Sequence, residues 1–148
     1  MDDAQSRPPS LLALPSYLAS HVARIGHLLL VDALAEHDLR LPHFAVLTGL
    51  SDFGPLAQHD LADRLGLNRS HLVGYLDTVE ERGLIRRERD SDDRRRQRVA
   101  LTAAGVELQQ RLQQLAQDSQ REFLDVLTES ERSTLMELLG RVLRANGG

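Results

Sequence analysis

The most chemically distinctive part of the sequence is a run of charged side chains between residues 82 and 98. It contains eight arginines and four acidic residues, Glu88, Asp90, Asp92 and Asp93. The run therefore carries a net charge of +4, although the whole chain has a net charge of −4. Guanidinium groups concentrated on an otherwise acidic protein can bind phosphate groups at one place only. A solvated surface without a ligand is the alternative interpretation.

Two helices joined by a tight turn are predicted before this run, between residues 56 and 83. Ala62 is small enough to let a second helix cross the first, and Gly66 can adopt the positive φ that such a turn needs. Leu72 and Leu76 have the spacing of buried positions on the second helix. The pattern is that of a helix-turn-helix.

The candidate contact residues of this motif lie where the second helix begins. Asn68 is a good N-cap for that helix, and the exposed residues that follow it are Arg69, Ser70, His71 and Gly74. Because the N-terminal residues of such helices enter the major groove, these positions are candidates for contacts with bases or phosphates. Gln58 starts the preceding helix, where backbone N–H groups also favour phosphate. Helical hairpins with glycine turns also occur in proteins that bind no DNA, so this fragment alone is not decisive.

A β-hairpin is predicted from Leu84 to Leu101, with a long polar tip from Arg89 to Arg96. Gly83 can end the preceding helix, so a strand follows directly. Arginines on a flexible tip suit the minor groove, where the negative potential of DNA is strongest. Acidic neighbours can hold the guanidinium groups in place through ion pairs. A helix-turn-helix followed by a basic wing indicates DNA binding more strongly than either part alone.

Four stretches, residues 58–67, 76–84, 90–95 and 99–105, resemble the MarR (multiple antibiotic resistance regulator) family of bacterial transcription factors. The most specific are the Asp-x-x-Asp-Arg-Arg wing at 90–95 and the Val-x-Leu-Thr-x-x-Gly entry into a helix at 99–105. The resemblance implies a mainly α-helical winged helix-turn-helix fold with a small β-hairpin wing. It also implies a homodimer that binds a pseudo-palindromic double-stranded DNA operator, and we expect a repressor.

The family's pattern also assigns roles to individual wing residues. Arg95 would enter the minor groove with support from Asp93 and Arg94, and Arg96 belongs to the same cluster. Gly74 stands where the family usually has a larger side chain, so it offers no group for reading a base. Arg69 stands where a small residue or proline is frequent, and it can supply the missing contact.

Long helices are predicted at both ends of the chain. We expect a mobile tail at residues 1–10, a helical dimerisation region formed by residues 11–37 and 103–146, and a DNA-binding lobe at residues 41–102. Apolar residues recur at three- and four-residue spacing between residues 14 and 29 and make a stripe wider than one small core requires. Thr102 can cap the helix that follows it, and Thr128 with Glu131 has the spacing of a capping box.

The sequence argues against an enzyme. There is no cysteine, which excludes disulfides and thiol-based redox sensing. The sequence also lacks a glycine-rich phosphate loop, a nucleophile elbow and a metalloprotease motif. Ser70 and His71 are adjacent on a helix, so their side chains point in different directions. We therefore expect no catalysis and no cofactor.

The six histidines show no His-x-x-x-His spacing, so no metal site is expected. We expect His59 and His71 to face phosphate. The resemblance implies a small aromatic or phenolic effector, and His21 and His43 are candidates to line its cleft. Half-buried positions on helices are the alternative for both.

Two further expectations concern partners and location. A winged helix that binds a protein instead of DNA is the main alternative function, although such modules need no basic wing. The longest apolar stretch is interrupted by Arg24, Asp32 and Glu36, and the first ten residues lack the apolar core of a signal peptide. We therefore expect a cytoplasmic protein without a membrane span.

Overall fold

The computed structural model describes residues 6–93 and 95–147. Most of these residues are helical, and a small antiparallel sheet completes the fold, as the sequence predicts. The elements in chain order are α1 (Pro9–Leu12), α2 (Pro15–Ala35), α3 (Leu41–Phe53), β1 (Leu56–Ala57), α4 (Gln58–Leu65), α5 (Arg69–Glu81), β2 (Ile85–Arg89), β3 (Gln97–Leu101), α6 (Ala103–Phe123) and α7 (Glu129–Ala145).

Two short elements were not predicted. Helix α1 begins at Pro9, inside the segment expected to be a tail, because proline is already set to the φ of a first helical residue. Strand β1 consists of two residues that pair with β3, so the sheet has the order β1-β3-β2. Its pairing of Leu56 with Val99 joins residues far apart in sequence. A local pattern therefore could not reveal it.

The chain forms two compact units, Leu30–Gln117 and Met1–Leu29 with Asp118–Gly148. Helices α2 and α6 each contribute residues to both units. Leu34 near the end of α2 and Leu112 in α6 are fully buried in the core of the Leu30–Gln117 unit.

The core of the Leu30–Gln117 unit is built almost entirely from aliphatic side chains of α3, α4, α5 and the sheet. Its fully buried members include Val46, Leu47, Leu61, Ala62, Leu72, Leu76, Val79 and Val99. Gln109 of α6 is also buried, and its amide donates a hydrogen bond to the hydroxyl of Thr48. This core fixes α4 and α5 relative to the wing.

The junction between α5 and β2 is held by hydrogen bonds to backbone carbonyl groups. Gly83 has a φ of 73°, and Leu84 N–H donates to the carbonyl of Val79, which closes the helix end. Thr102 Oγ1 donates to the Gly83 carbonyl at 2.6 Å and accepts from Gly105 N–H at 3.1 Å. The predicted cap at Thr102 is therefore confirmed, and it ties α6 to the end of α5.

In the other unit, the predicted capping box at the start of α7 is confirmed. Thr128 N–H donates to Glu131 Oε1, and Glu131 N–H donates to Thr128 Oγ1. Gly26 of α2 lies against the ring of Phe123, since an added Cβ would be 3.0 Å from that ring. Gln120 Nε2 donates to the Gly26 carbonyl.

Large apolar side chains remain exposed on the helices of this unit. On α1, α2 and the two residues between them these are Leu11, Leu14, Leu18, Val22, Ile25 and Leu28, and on α7 they are Met136, Leu138, Leu139, Val142 and Leu143. By length and composition alone, α2 could also cross a membrane, which the sequence analysis did not expect. A core helix of a soluble protein passes the same test.

The contact at Gly105 predicts a large effect of a single methyl group. A Cβ on Gly105 would lie 1.9 Å from the carbonyl oxygen of Leu84, so backbone must move. We expect Gly105→Ala to lower the free energy of unfolding by about 1–3 kcal/mol. Gly74→Ala is the matched control, because its Cβ would meet nothing within 4 Å, and it should raise stability by about 0.5–1 kcal/mol. Urea unfolding at equal protein concentration measures both, and equal midpoints would contradict this account.

Candidate nucleic-acid interface

Helices α4 and α5 form the predicted helix-turn-helix. Gly66 has a φ of 64°, in the left-handed region, and Leu67 N–H donates to the carbonyl of Ala62. Ala62, Leu72 and Leu76 are fully buried where the helices cross. The turn glycine, the small crossing residue and the buried leucines are therefore confirmed.

The N-terminus of α5 is capped by Asn68, as predicted. Asn68 Oδ1 accepts hydrogen bonds from Ser70 N–H at 2.8 Å and from the Ser70 hydroxyl at 2.5 Å. Arg69, Ser70, His71 and Gly74 are all exposed. Arg69 Nη2 lies 3.3 Å from Asp63 Oδ2 of α4, an exposed ion pair that water screens. The exposed end of α5 thus presents the predicted candidates at the surface.

The carboxylates of the wing tip organise its backbone. Asp93 Oδ1 accepts from Arg95 N–H at 3.0 Å, and Asp93 Oδ2 lies 3.5 Å from Arg96 Nε. Asp90 Oδ1 accepts from Asp92 N–H in the same manner. Arg94, the other predicted wing contact, lies outside the described residues.

A cleft of about 200 Å³ brings the wing and the helix-turn-helix together. Its lining residues are Gln58, His59, Arg69, Leu72, Arg95, Arg96 and Gln97. It therefore joins the starts of α4 and α5 to the base of the wing tip. Three guanidinium groups beside a helix start give this cleft the chemistry to bind a phosphate. His59 is also held 3.2 Å from Asp60.

Sequence reasoning missed Arg87, which connects the wing to α5. Its guanidinium donates to Asp77 at 2.6 Å and to Glu80 at 2.8 Å, and its side chain is 18% exposed. The hydrogen bond with Arg87 lowers the pKa of Glu80, and the same bond raises the pKa of Arg87. The only sign of this contact in the sequence is that Asp77 and Glu80 lie three residues apart on a helix and an arginine follows in a strand. Such a pattern predicts an ion pair only when the angle between the helix and the strand is known.

His21 lies in a polar cluster at the start of the chain. Arg7 Nη1 is 3.2 Å from His21 Nδ1, 3.3 Å from His21 Nε2 and 3.3 Å from the hydroxyl of Tyr17. The rings of Tyr17 and His21 are 4.4 Å apart between centroids. The cluster combines a cation, a phenol and an imidazole within one unit of the chain.

His43 is buried and has a structural role in the other unit. Its Nδ1 accepts a hydrogen bond from Arg40 N–H at 3.0 Å, which satisfies the N-cap N–H at the start of α3. Its ring meets Tyr75 of α5 edge-on at 5.6 Å. Burial, and then the positive charges of Arg40 and Arg82, lower the pKa of His43 from its usual 6.5. Within the described part of the chain, no group of three or more acidic or histidine side chains is placed to hold a metal.

The lowered pKa of His43 predicts a pH dependence of stability. As the pH falls below 6.5, His43 takes up a proton in the unfolded chain before it does so in the folded chain. The free energy of unfolding therefore decreases until the pH reaches the lower pKa that His43 has in the folded chain. His43→Gln keeps an acceptor for the Arg40 N–H and does not titrate. We expect the free energy of unfolding of the wild type to fall relative to that of His43→Gln between about pH 7.5 and 5.5. His27→Gln, a change at an exposed residue, should keep the wild-type trend, and parallel curves for wild type and His43→Gln would refute the prediction.

The MarR family model matches residues 39–96. A transcriptional regulator named HosA from Escherichia coli O111:H- is 32% identical over 108 residues, which are 73% of this chain and 80% of the relative. A putative transcriptional regulatory protein for the hcr operon of Thauera aromatica is 33% identical over 101 residues. That match spans 68% of this chain and 61% of the relative.

Solved structures of similar fold include complexes. A MarR variant from E. coli, complexed with operator DNA, has a TM-score of 0.77 and 27% identity, and the match covers 93% of this chain and 99% of that one. The PcaV transcriptional regulator from Streptomyces coelicolor, in complex with its natural ligand, has a TM-score of 0.74 and 27% identity. That match covers 95% of this chain and 99% of the other.

Proposed function

This chain belongs to the MarR family of DNA-binding transcriptional regulators, and on that premise we propose that it is a repressor that binds a pseudo-palindromic operator as a homodimer. Members of this family are regulators and not enzymes, so the expectation of no catalysis is confirmed. We further propose that it acts in the cytoplasm, where the DNA is.

The observation that carries the proposal is the shared cleft of the helix-turn-helix and the wing. Arg69 at the start of α5 and Arg95 on the wing line the same space, so a duplex can engage both at once. In this proposal the start of α5 enters the major groove, and Arg95 reaches the adjacent minor groove. Gln58 and Arg96 contact the phosphates between the two grooves. Arg94 takes part as a further wing cation.

The apolar surface of the terminal helices supports the homodimer. Leu14, Leu18, Val22 and Ile25 form a row at helical spacing on the α2 side, and each is at least 43% exposed. An apolar surface of this kind is a binding surface for another protein or a membrane. A second copy can cover it with the same residues, which gives a closed two-fold dimer. A dimer interface accounts for the apolar character of α2, so the proposal requires no membrane.

The proposed release of DNA involves an aromatic or phenolic acid at the cluster of Arg7, Tyr17 and His21. A carboxylate suits the guanidinium of Arg7, and an aromatic ring can stack on the side chains of Tyr17 and His21. The PcaV structure shows that a relative of this fold binds a natural ligand. His43, the second predicted ligand residue, already accepts a capping hydrogen bond, so the proposal gives His21 the larger role.

A winged helix that binds a protein is the second candidate function. Its support is the exposed ion pair of Arg86 with Glu88, 2.9 Å apart, on the wing strands. Such an interface would release few counterions, so its salt dependence would be shallow. The salt dependence of binding therefore separates the two candidates.

The operator proposal predicts the behaviour of Arg95→Ala. We expect about tenfold weaker binding to every duplex and a salt slope smaller by about one, because one phosphate-region cation is lost. Arg111→Ala is the matched control, since Arg111 is also exposed but lies on α6, and it should leave both quantities unchanged. Titration of the wild type with duplex from its own upstream region, against scrambled duplex, measures affinity, salt slope and chains per site. Unchanged affinity of Arg95→Ala would remove the wing from the interface, and one chain per site would refute the dimer.

The effector proposal predicts that benzoate raises the melting temperature of the protein and weakens operator binding. Arg7→Met should abolish both effects because it removes the carboxylate partner without shortening the side chain greatly. Benzylammonium is the control ligand, since its charge is opposite, and it should have neither effect. Differential scanning fluorimetry and the duplex titration measure the two responses. An unchanged response of Arg7→Met would place any effector elsewhere.

A further inference from the structure

The exposed residues of α5 include one aliphatic side chain. The helix buries Leu72, Leu76 and Val79, whereas Val73 is 40% exposed. At 3.6 residues per turn, Val73 lies one turn beyond Ser70 and outside the buried face. It therefore stands in the half of α5 that starts at the proposed major-groove contact. A single exposed valine is ordinary on a protein surface, so its surroundings decide whether it has a role.

The surface beside Val73 is open. The next residue, Gly74, is exposed, and a Cβ added there would meet nothing within 4 Å. Gly74 therefore places no side chain in the way of a base edge that approaches the methyl groups of Val73. Because Gly74 has no side chain, it leaves space for a contact made by Val73.

The hydroxyl of Ser70 limits what this surface can read by hydrogen bonding. Asn68 Oδ1 accepts from the backbone N–H of Ser70, which identifies that atom as the oxygen. The Ser70 hydroxyl at 2.5 Å from the same oxygen must then donate its proton to it. In this geometry Ser70 presents lone pairs outward, and its proton is directed to Asn68 instead of to a base carbonyl.

The major groove offers one apolar feature, the C5-methyl group of thymine. We propose that Val73 is a specificity-determining residue that contacts the C5-methyl group of one thymine in each half-site, in the space left open by Gly74. This inference rests on the proposed operator binding and adds a base preference to it.

The test begins with selection of bound duplexes from a random pool by the wild-type protein. Each thymine of the enriched site is then replaced singly by deoxyuridine, which removes only the methyl group. We expect one replacement per half-site to weaken binding about fourfold, the effect of losing one buried methyl contact.

Val73→Ala then identifies the protein side of the contact. The variant should bind the thymine and deoxyuridine duplexes equally at that position and retain any other thymine preference. Val106→Ala is the matched control, because Val106 is 43% exposed on α6, and it should keep the fourfold difference. Gly74→Leu fills the clearance from an exposed position whose Cβ would meet no protein atom within 4 Å, so it should lose at least tenfold in operator affinity while its melting temperature is retained.

The outcomes separate the inference from the proposed function. Enriched duplexes without any deoxyuridine effect, or an effect that persists in Val73→Ala, overturn the inference and leave operator binding intact. Failure of the selection to enrich any duplex overturns both. A fourfold methyl effect that disappears only in Val73→Ala supports the assignment.

Discussion

The meeting point of α5, β2 and α6 is the constraint on which the rest of the Leu30–Gln117 unit depends. The left-handed φ of Gly83 turns the chain out of α5, and Thr102 returns to bond the carbonyl of that glycine. Gly105 then lets α6 approach the backbone of Leu84 more closely than any side chain allows. Helix α5, the wing and helix α6 therefore meet at one closely packed joint. The short distance between Gly105 and the Leu84 carbonyl leaves α6 no room to move closer to the wing at this point.

Several acidic side chains beside the proposed DNA-binding surface are paired with arginines. Asp77 and Glu80 on α5 are covered by Arg87 from the wing. Asp63 is paired with Arg69, and Asp93 is paired with Arg96. The contacts of Arg87 also fix the angle between wing and helix, so they combine electrostatic and geometric roles. The net charge of residues 82–98 is thus only part of the charge in this region, because Asp63, Asp77 and Glu80 lie outside that segment.

The sequence predicted the local features well and the long-range ones poorly. Gly66, Asn68 and the Thr128–Glu131 box have short-range signatures, since each acts on backbone within three or four residues. Strand β1 and the partners of Arg87 depend on pairing across the fold, which residue spacing does not encode. His43 shows the same limit, because its capping partner is local but its burial against Tyr75 is not. The candidate contact residues at the start of α5 were found because an N-cap determines the orientation of the first helical turn.

The two aspartates of the wing tip also affect how much conformational entropy the wing loses when it binds a partner. Asp90 and Asp93 each hold a backbone N–H two residues ahead, so the tip has a defined turn before any partner arrives. A loop that is already ordered loses less conformational entropy when it binds, so its binding free energy is more favourable. The arginine side chains can then vary in sequence without loss of the turn. The wing tip thus meets a partner with its backbone turn already formed, so only its side chains remain to be ordered.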